Sequence, residues 1–158
     1  MGEIDFYVAA VCSRTVLGVG AGAQPADVAA VLGDSYLDDR SRRRLRRDYG
    51  LVEFFFEFEP ATDWRCRGFS VQVHRLDHGD ESIVPEAVRE AYGELHDRVG
   101  EQRLADALRA AGAEIVPYEE RSDGPGWSRF RVGSASVISE SEPGSGDPAL
   151  VWSIHVSA

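Results

Sequence analysis

Four histidines, two cysteines, a run of arginines and a glycine-rich stretch are the parts of this chain whose residue types invite chemistry. An imidazole beside a carboxylate makes a general acid–base pair or part of a metal site. His74, His155 and Glu57 are the candidates, because each falls on the polar side of a strand-like segment. His74 and His78 are four apart, but a strand ends between them, so the spacing does not place them on one face. There is no H-E-x-x-H and no Cys/His cluster of metal-ligand spacing. Cys12 and Cys66 lack C-x-x-C spacing and sit among apolar or aromatic neighbours. They read as reduced, partly buried thiols, with a disulfide neither required nor excluded. No serine lies in a nucleophile elbow, and neither cysteine has a partner base in the sequence. The expectation is therefore no catalytic residue, no metal and no cofactor.

Gly18, Gly20 and Gly22 imitate a phosphate loop, but their G-x-G-x-G spacing is not the dinucleotide fingerprint. All 17 basic residues are arginine, so a Walker lysine is impossible. Six of those arginines fall in eight positions: Arg40, Arg42, Arg43, Arg44, Arg46 and Arg47. Such a run suits phosphates. It equally suits a solvated helix face paired with Asp38, Asp39 and Asp48. The formal net charge of −10 argues against nucleic acid as a ligand.

The charge is uneven. Residues 1–79 hold 10 Arg against 12 Asp and Glu (−2), and residues 80–158 hold 7 against 15 (−8). The second half repels anionic surfaces and attracts basic partners. Tyr118 and Trp127 lie there among Glu119, Glu120, Asp123, Glu140 and Glu142. Aromatic anchors inside a ring of acid are what a surface for a basic protein looks like. Ten residues thus make up the candidate partner surface: Glu57, His74, Tyr118, Glu119, Glu120, Asp123, Trp127, Glu140, Glu142 and His155.

The elements that must position these residues follow from periodicity. Residues 51–59 alternate, with Val52, Phe54, Phe56 and Phe58 on one side and Glu53, Phe55, Glu57 and Glu59 on the other. Residues 68–76 repeat the pattern, with Phe69, Val71 and Val73 opposed to Ser70, Gln72 and His74. Period two marks half-buried antiparallel strands, joined here by a loop over residues 60–67. Residues 4–12 are apolar and fit a helix or a strand equally. Pro25 at the first helical turn and Gly33 as a stop predict a helix over Pro25–Leu32. Acid before base suggests a short helix over residues 39–46. Residues 84–112 read as helical, split by Gly93 and Gly100. Four further strands are predicted at 114–118, 127–132, 135–139 and 150–156. In the last, Leu150, Trp152, Ile154 and Val156 are expected inward. The prediction is one α+β domain, an antiparallel sheet of about six strands with helices packed on one face. Its two α-then-β halves, 1–79 and 80–158, are compatible with a degenerate duplication, though no residue-level repeat is present.

Leu17-Gly18-Val19-Gly20, the stretch from Ala26 to Gly33, and Tyr49-Gly50-Leu51-Val52-Glu53-Phe54 followed by a second alternating strand resemble a pattern in small actinobacterial proteins. Those proteins often occur as immunity-like partners of polymorphic toxins. The resemblance covers about the first half of the chain and is carried by structural motifs, so it transfers no functional residue. It implies a small cytoplasmic protein that binds and blocks a toxin domain. No apolar run reaches membrane-span length, and no signal-peptide pattern opens the chain, which agrees with that location. A small enzyme or ligand-binding domain using the open sheet face, and a regulatory interaction domain using the arginine segment, are the alternatives.

Overall fold

A computed structural model describes residues 1–118 and 124–158. The chain runs α1 (Glu3–Cys12), β1 (Thr15–Val16), β2 (Val19–Gly20), α2 (Pro25–Leu32), β3 (Leu37–Arg40), β4 (Arg44–Asp48), β5 (Val52–Glu59) and β6 (Asp63–Val71). Two 3-10 turns (Val73–Asp77, Glu81–Ile83) lead to α3 (Glu86–Tyr92) and α4 (Glu101–Ala110), then β7 (Val116–Pro117), β8 (Trp127–Val132), β9 (Ala135–Glu140) and β10 (Leu150–Ser157). The fold is α+β and antiparallel, as expected. Among the described residues its main sheet has eight strands rather than six, in the order β3-β4-β5-β6-β10-β9-β8-β7, and β1-β2 form a separate small hairpin. The pairing of β6 with β10 joins the strands of the two halves into one sheet.

Register explains the core. Val52, Val71, Ile154, Val137 and Phe130 stand opposite one another from strand to strand and are all buried. Phe54, Phe69, Val156 and Ala135 form a second such row. The helices bury their apolar stripes in the same cluster, through Phe6, Tyr7, Val28, Val88, Leu104 and Leu108. α1 packs on α3, α4 and β10, and α2 on α3 and β6. The ambiguous segment 4–12 is helical because Phe6, Tyr7, Ala10 and Val11 recur on one face, with Asp5 accepting from the Gly2 N–H at 2.8 Å. α2 begins and ends where Pro25 and Gly33 predict.

Four expectations need correction. The arginine run is not a helix; it is the β3–β4 hairpin, with Asp38 opposite Arg47 and Asp39 opposite Arg46. Acid–base pairing across two strands satisfies the same charges that a helix dipole would. The strand predicted over 68–76 is β6, which starts five residues earlier and stops at Val71, so the expected loop is mostly strand and His74 lies in a 3-10 turn. In β10 a register shift between Val151 and Ser153 leaves Trp152 bulged. Val151 is therefore fully buried and Leu150 is 39% exposed, the reverse of the predicted alternation. Finally, the strand expected at 114–118 is only Val116–Pro117. Cys12 is exposed and Cys66 buried, both as free thiols.

Candidate functional site

The sheet face away from the helices carries a polar row, formed by Asp48, Glu53, Ser70, His155, Ser136 and Arg131 from successive strands. This row is partly roofed. Arg75, from the first 3-10 turn, reaches Asp48 at 3.0 Å and Glu53 at 2.9 Å and also donates to the Gly50 carbonyl at 2.7 Å. Glu53 and Ser70 are consequently buried despite their polar side chains, and each has a partner, as buried polar groups require. Leu51 N–H donates to the Ile83 carbonyl, and a Cβ on Gly50, which adopts a positive φ, would meet that same carbonyl at 2.5 Å. Glycine there lets the 81–83 turn close over the start of β5.

Glu57, His74 and His155 do not come together. Glu57 ion-pairs with Arg67 at 3.2 Å on β6. His74 stacks on Trp152, with ring centroids 4.1 Å apart and planes 3° from parallel, and its Nδ1 lies 3.2 Å from the Trp152 carbonyl. His155 faces Ser70 across the β6–β10 pairing, and its Nε2 lies 3.0 Å from Ser153 Oγ. Desolvation of the ring pushes the His155 pKa below its ordinary value; the Arg129 charge adds to this and Glu53 opposes it. The Ser153–His155 pair is the nearest approach to acid–base chemistry on this face, but Ser153 is 3% exposed and offers a substrate no access. Among the described residues, no group of three His, Cys, Asp or Glu side chains is placed to hold a metal ion.

The acidic candidates fare differently. Glu119, Glu120 and Asp123 lie outside the described residues. Tyr118 is 39% exposed; its hydroxyl is 3.0 Å from Ser136 Oγ, and Arg129 and Arg131 lie over its ring at 5.4 and 5.9 Å. Trp127, Glu140 and Glu142 do converge. With Asp147 and Leu150 they line a cleft of about 440 Å³ where β8, β9 and β10 end. Three prolines, Pro125, Pro143 and Pro148, stiffen its rim. Trp127 stands edge-on to Trp152 at 5.4 Å, which extends the His74–Trp152 stack into the cleft wall.

Arg98 organises this end of the sheet, and sequence reasoning missed it. Its guanidinium contacts Glu140 at 2.8 Å and Asp77 at 3.4 Å. It donates to the carbonyls of Val151 and Leu150 and lies 5.3 Å from the Trp152 ring centre. An arginine in the stretch between two helices carries no local signal of such a role. Glu142 and Asp147 are exposed and form no ion pair among the described residues, so the cleft keeps two uncompensated carboxylates.

Comparison with protein-family models, with curated proteins and with solved structures finds no match. Among the described residues, no helix is long and apolar enough to cross a membrane.

Proposed function

We propose that this protein is a non-enzymatic binding module of the immunity-like kind, which neutralises a toxin partner by covering its active site. The observation that carries the reading is the cleft in which Trp127, Glu142 and Asp147 meet. A half-buried indole beside exposed carboxylates suits an arginine or lysine side chain, which can pair with the carboxylates while its stem packs on the ring. A basic toxin domain presents such side chains, and the −8 charge of residues 80–158 steers it toward this surface. Inhibition is then steric and electrostatic, and association is fast and weakened by salt.

The test is co-expression with the product of the neighbouring open reading frame, followed by pull-down and a toxicity assay. Retention of that product and relief of its toxicity are expected. The Glu142→Arg, Asp147→Arg double variant should lose both while keeping its fold. A neighbour that is neither retained nor toxic would sink the proposal.

A further inference from the structure

The arginine run takes on a different character once it is a hairpin. β4 alternates, so Leu45 and Arg47 turn toward the helices while Arg44 and Arg46 turn to the open face. Arg42 and Arg43 occupy the hairpin tip. Arg42, Arg43 and Arg44 are exposed, and none forms an ion pair among the described residues. Arg44 stands opposite Glu57, but that carboxylate is engaged by Arg67. Arg46 has a 3.4 Å contact with Asp39, itself 76% exposed, a pairing that solvent largely screens.

One of these arginines, Arg46, stands opposite an aromatic ring, and the others continue along the same hairpin toward its tip. Phe55 stands opposite Arg46 on β5, is 37% exposed, and makes no ring–ring contact among the described residues. On its other side its partner is Gly68, which has no side chain to cover the ring. A side chain cannot be added there, because a Cβ on Gly68 would collide with the Val156 carbonyl oxygen. The bulge between Phe55 and Phe56 leaves Arg67 without a cross-strand partner, and it reaches out to Glu57 and Glu59 at the margin.

We propose that this corner of the open face binds single-stranded nucleic acid. A base stacks on Phe55 beside Gly68, and Arg42, Arg43, Arg44 and Arg46 take the flanking phosphates. An exposed ring on an open antiparallel sheet is a stacking surface for unpaired bases, and arginine forks match phosphate oxygens. An acidic protein segment would use the arginines but has no need of the ring, which is why nucleic acid is the favoured occupant. The net charge of −10 opposes nucleic acid at long range, so binding here rests on the local arginines. The nearer carboxylates on this face, Glu57 and Glu59, are both ion-paired with Arg67, and Glu140 on β9 lies four strand spacings from β4. At about 4.8 Å each this is about 19 Å, roughly two screening lengths at 0.1 M salt. The inference is independent of the acidic cleft and its partner.

The test is fluorescence anisotropy of labelled single-stranded dodecamers, oligo-U and oligo-dT, with the full chain. Four phosphate contacts predict a log–log salt slope near −2.8, hence about a 50-fold loss of affinity from 50 to 200 mM salt. Phe55→Ala should weaken binding about 10-fold or more, and Phe55→Tyr should restore it. The Arg44→Ala, Arg46→Ala double variant should flatten the slope by about 1.4. No binding at 50 mM salt with the protein at about 100 μM, equal affinity for a duplex, or full binding by Phe55→Ala would each overturn the proposal. Competition by poly-glutamate as effective as unlabelled oligonucleotide would overturn it in favour of an acidic protein surface.

Discussion

Two regions of the sheet, the β3–β4 edge and the strand ends of β9 and β10, are each fastened by one nearly buried arginine, but they leave opposite charge exposed. At the β3–β4 edge, Arg47 bonds Asp38 at 2.9 Å and the Pro25 carbonyl at 2.8 Å, and lies 3.8 Å from the Tyr36 ring centre. At the strand ends of β9 and β10, Arg98 bonds Glu140, two backbone carbonyls and the Trp152 face. Each arginine side chain is 6% exposed. Near Arg47, the exposed Arg42, Arg43 and Arg44 form no ion pair among the described residues; near Arg98, the exposed Glu142 and Asp147 form none. The same clamp chemistry thus holds a basic region and an acidic region, and the formal net charge averages the two. Burial and pairing, rather than residue type, separate an arginine that holds the fold from one that meets a ligand.

The sharpest way to break this comparison is through the frame both regions share. Phe54→Ala, in the fully buried aromatic row with Phe56 and Phe69, should cost about 4 kcal/mol in urea unfolding. Phe55→Ala, one position along, should cost less than about 1 kcal/mol, since its ring is exposed. Equal costs would mean the face assignment is wrong.

Next in size come the clamps. Arg47→Ala should lose about 3 kcal/mol, while Arg42→Ala and Arg43→Ala stay within about 0.5 kcal/mol of the parent in the same urea series. Equal losses would erase the distinction between clamp and contact arginines. Arg98→Ala should cost about 2 kcal/mol, because partly exposed Glu140 and Asp77 can rehydrate. It also frees Glu140, so binding of an arginine-rich peptide at low salt should become tighter while oligonucleotide binding is unchanged.

The smallest effect is a pH dependence at the row between the two regions. The folded protein holds His155 below the ordinary value of 6.5, so the unfolded chain binds more protons just below that pH. The stability this neutral imidazole contributes is present above about 6.5 and is lost as pH falls from there toward the lowered folded value. His155→Asn should flatten that part of a urea-midpoint profile between pH 7 and 5 (a window set by the ordinary histidine range). An unchanged profile would show that His155 is not the group responsible.

Residues whose inward positions are apolar were legible from sequence. β5 is readable because Phe54 and Phe56 alternate with Glu53 and Glu57, and α2 because proline and glycine bracket it. β4 was not readable, since one of its two inward residues is Arg47, and a charge at an inward position hides the period-two signal. Alternation continues past Val71 and so suggests a strand at His74; the chain instead turns after Gln72, with the Arg75 N–H donating to the Gln72 carbonyl at 3.0 Å. Trp152 was placed inward because a bulge adds a residue without leaving a mark in composition. Trp127, Glu140 and Glu142 line one cleft, whereas Glu57, His74 and His155, grouped by face alone, serve separate contacts.

By itself, then, the sequence determined the α+β class, the central strand pair, the helices bounded by proline and glycine, and the acidic bias of the second half. Local periodicity and backbone preference act over a few residues, and the chain displays them directly. Only the tertiary structure decided which arginines are buried clamps and which are exposed, that Phe55 stands beside Gly68, and that Arg98 meets Glu140 across 42 residues of chain. Those outcomes depend on strand order, register and bulges, which are set by long-range pairing against one shared core.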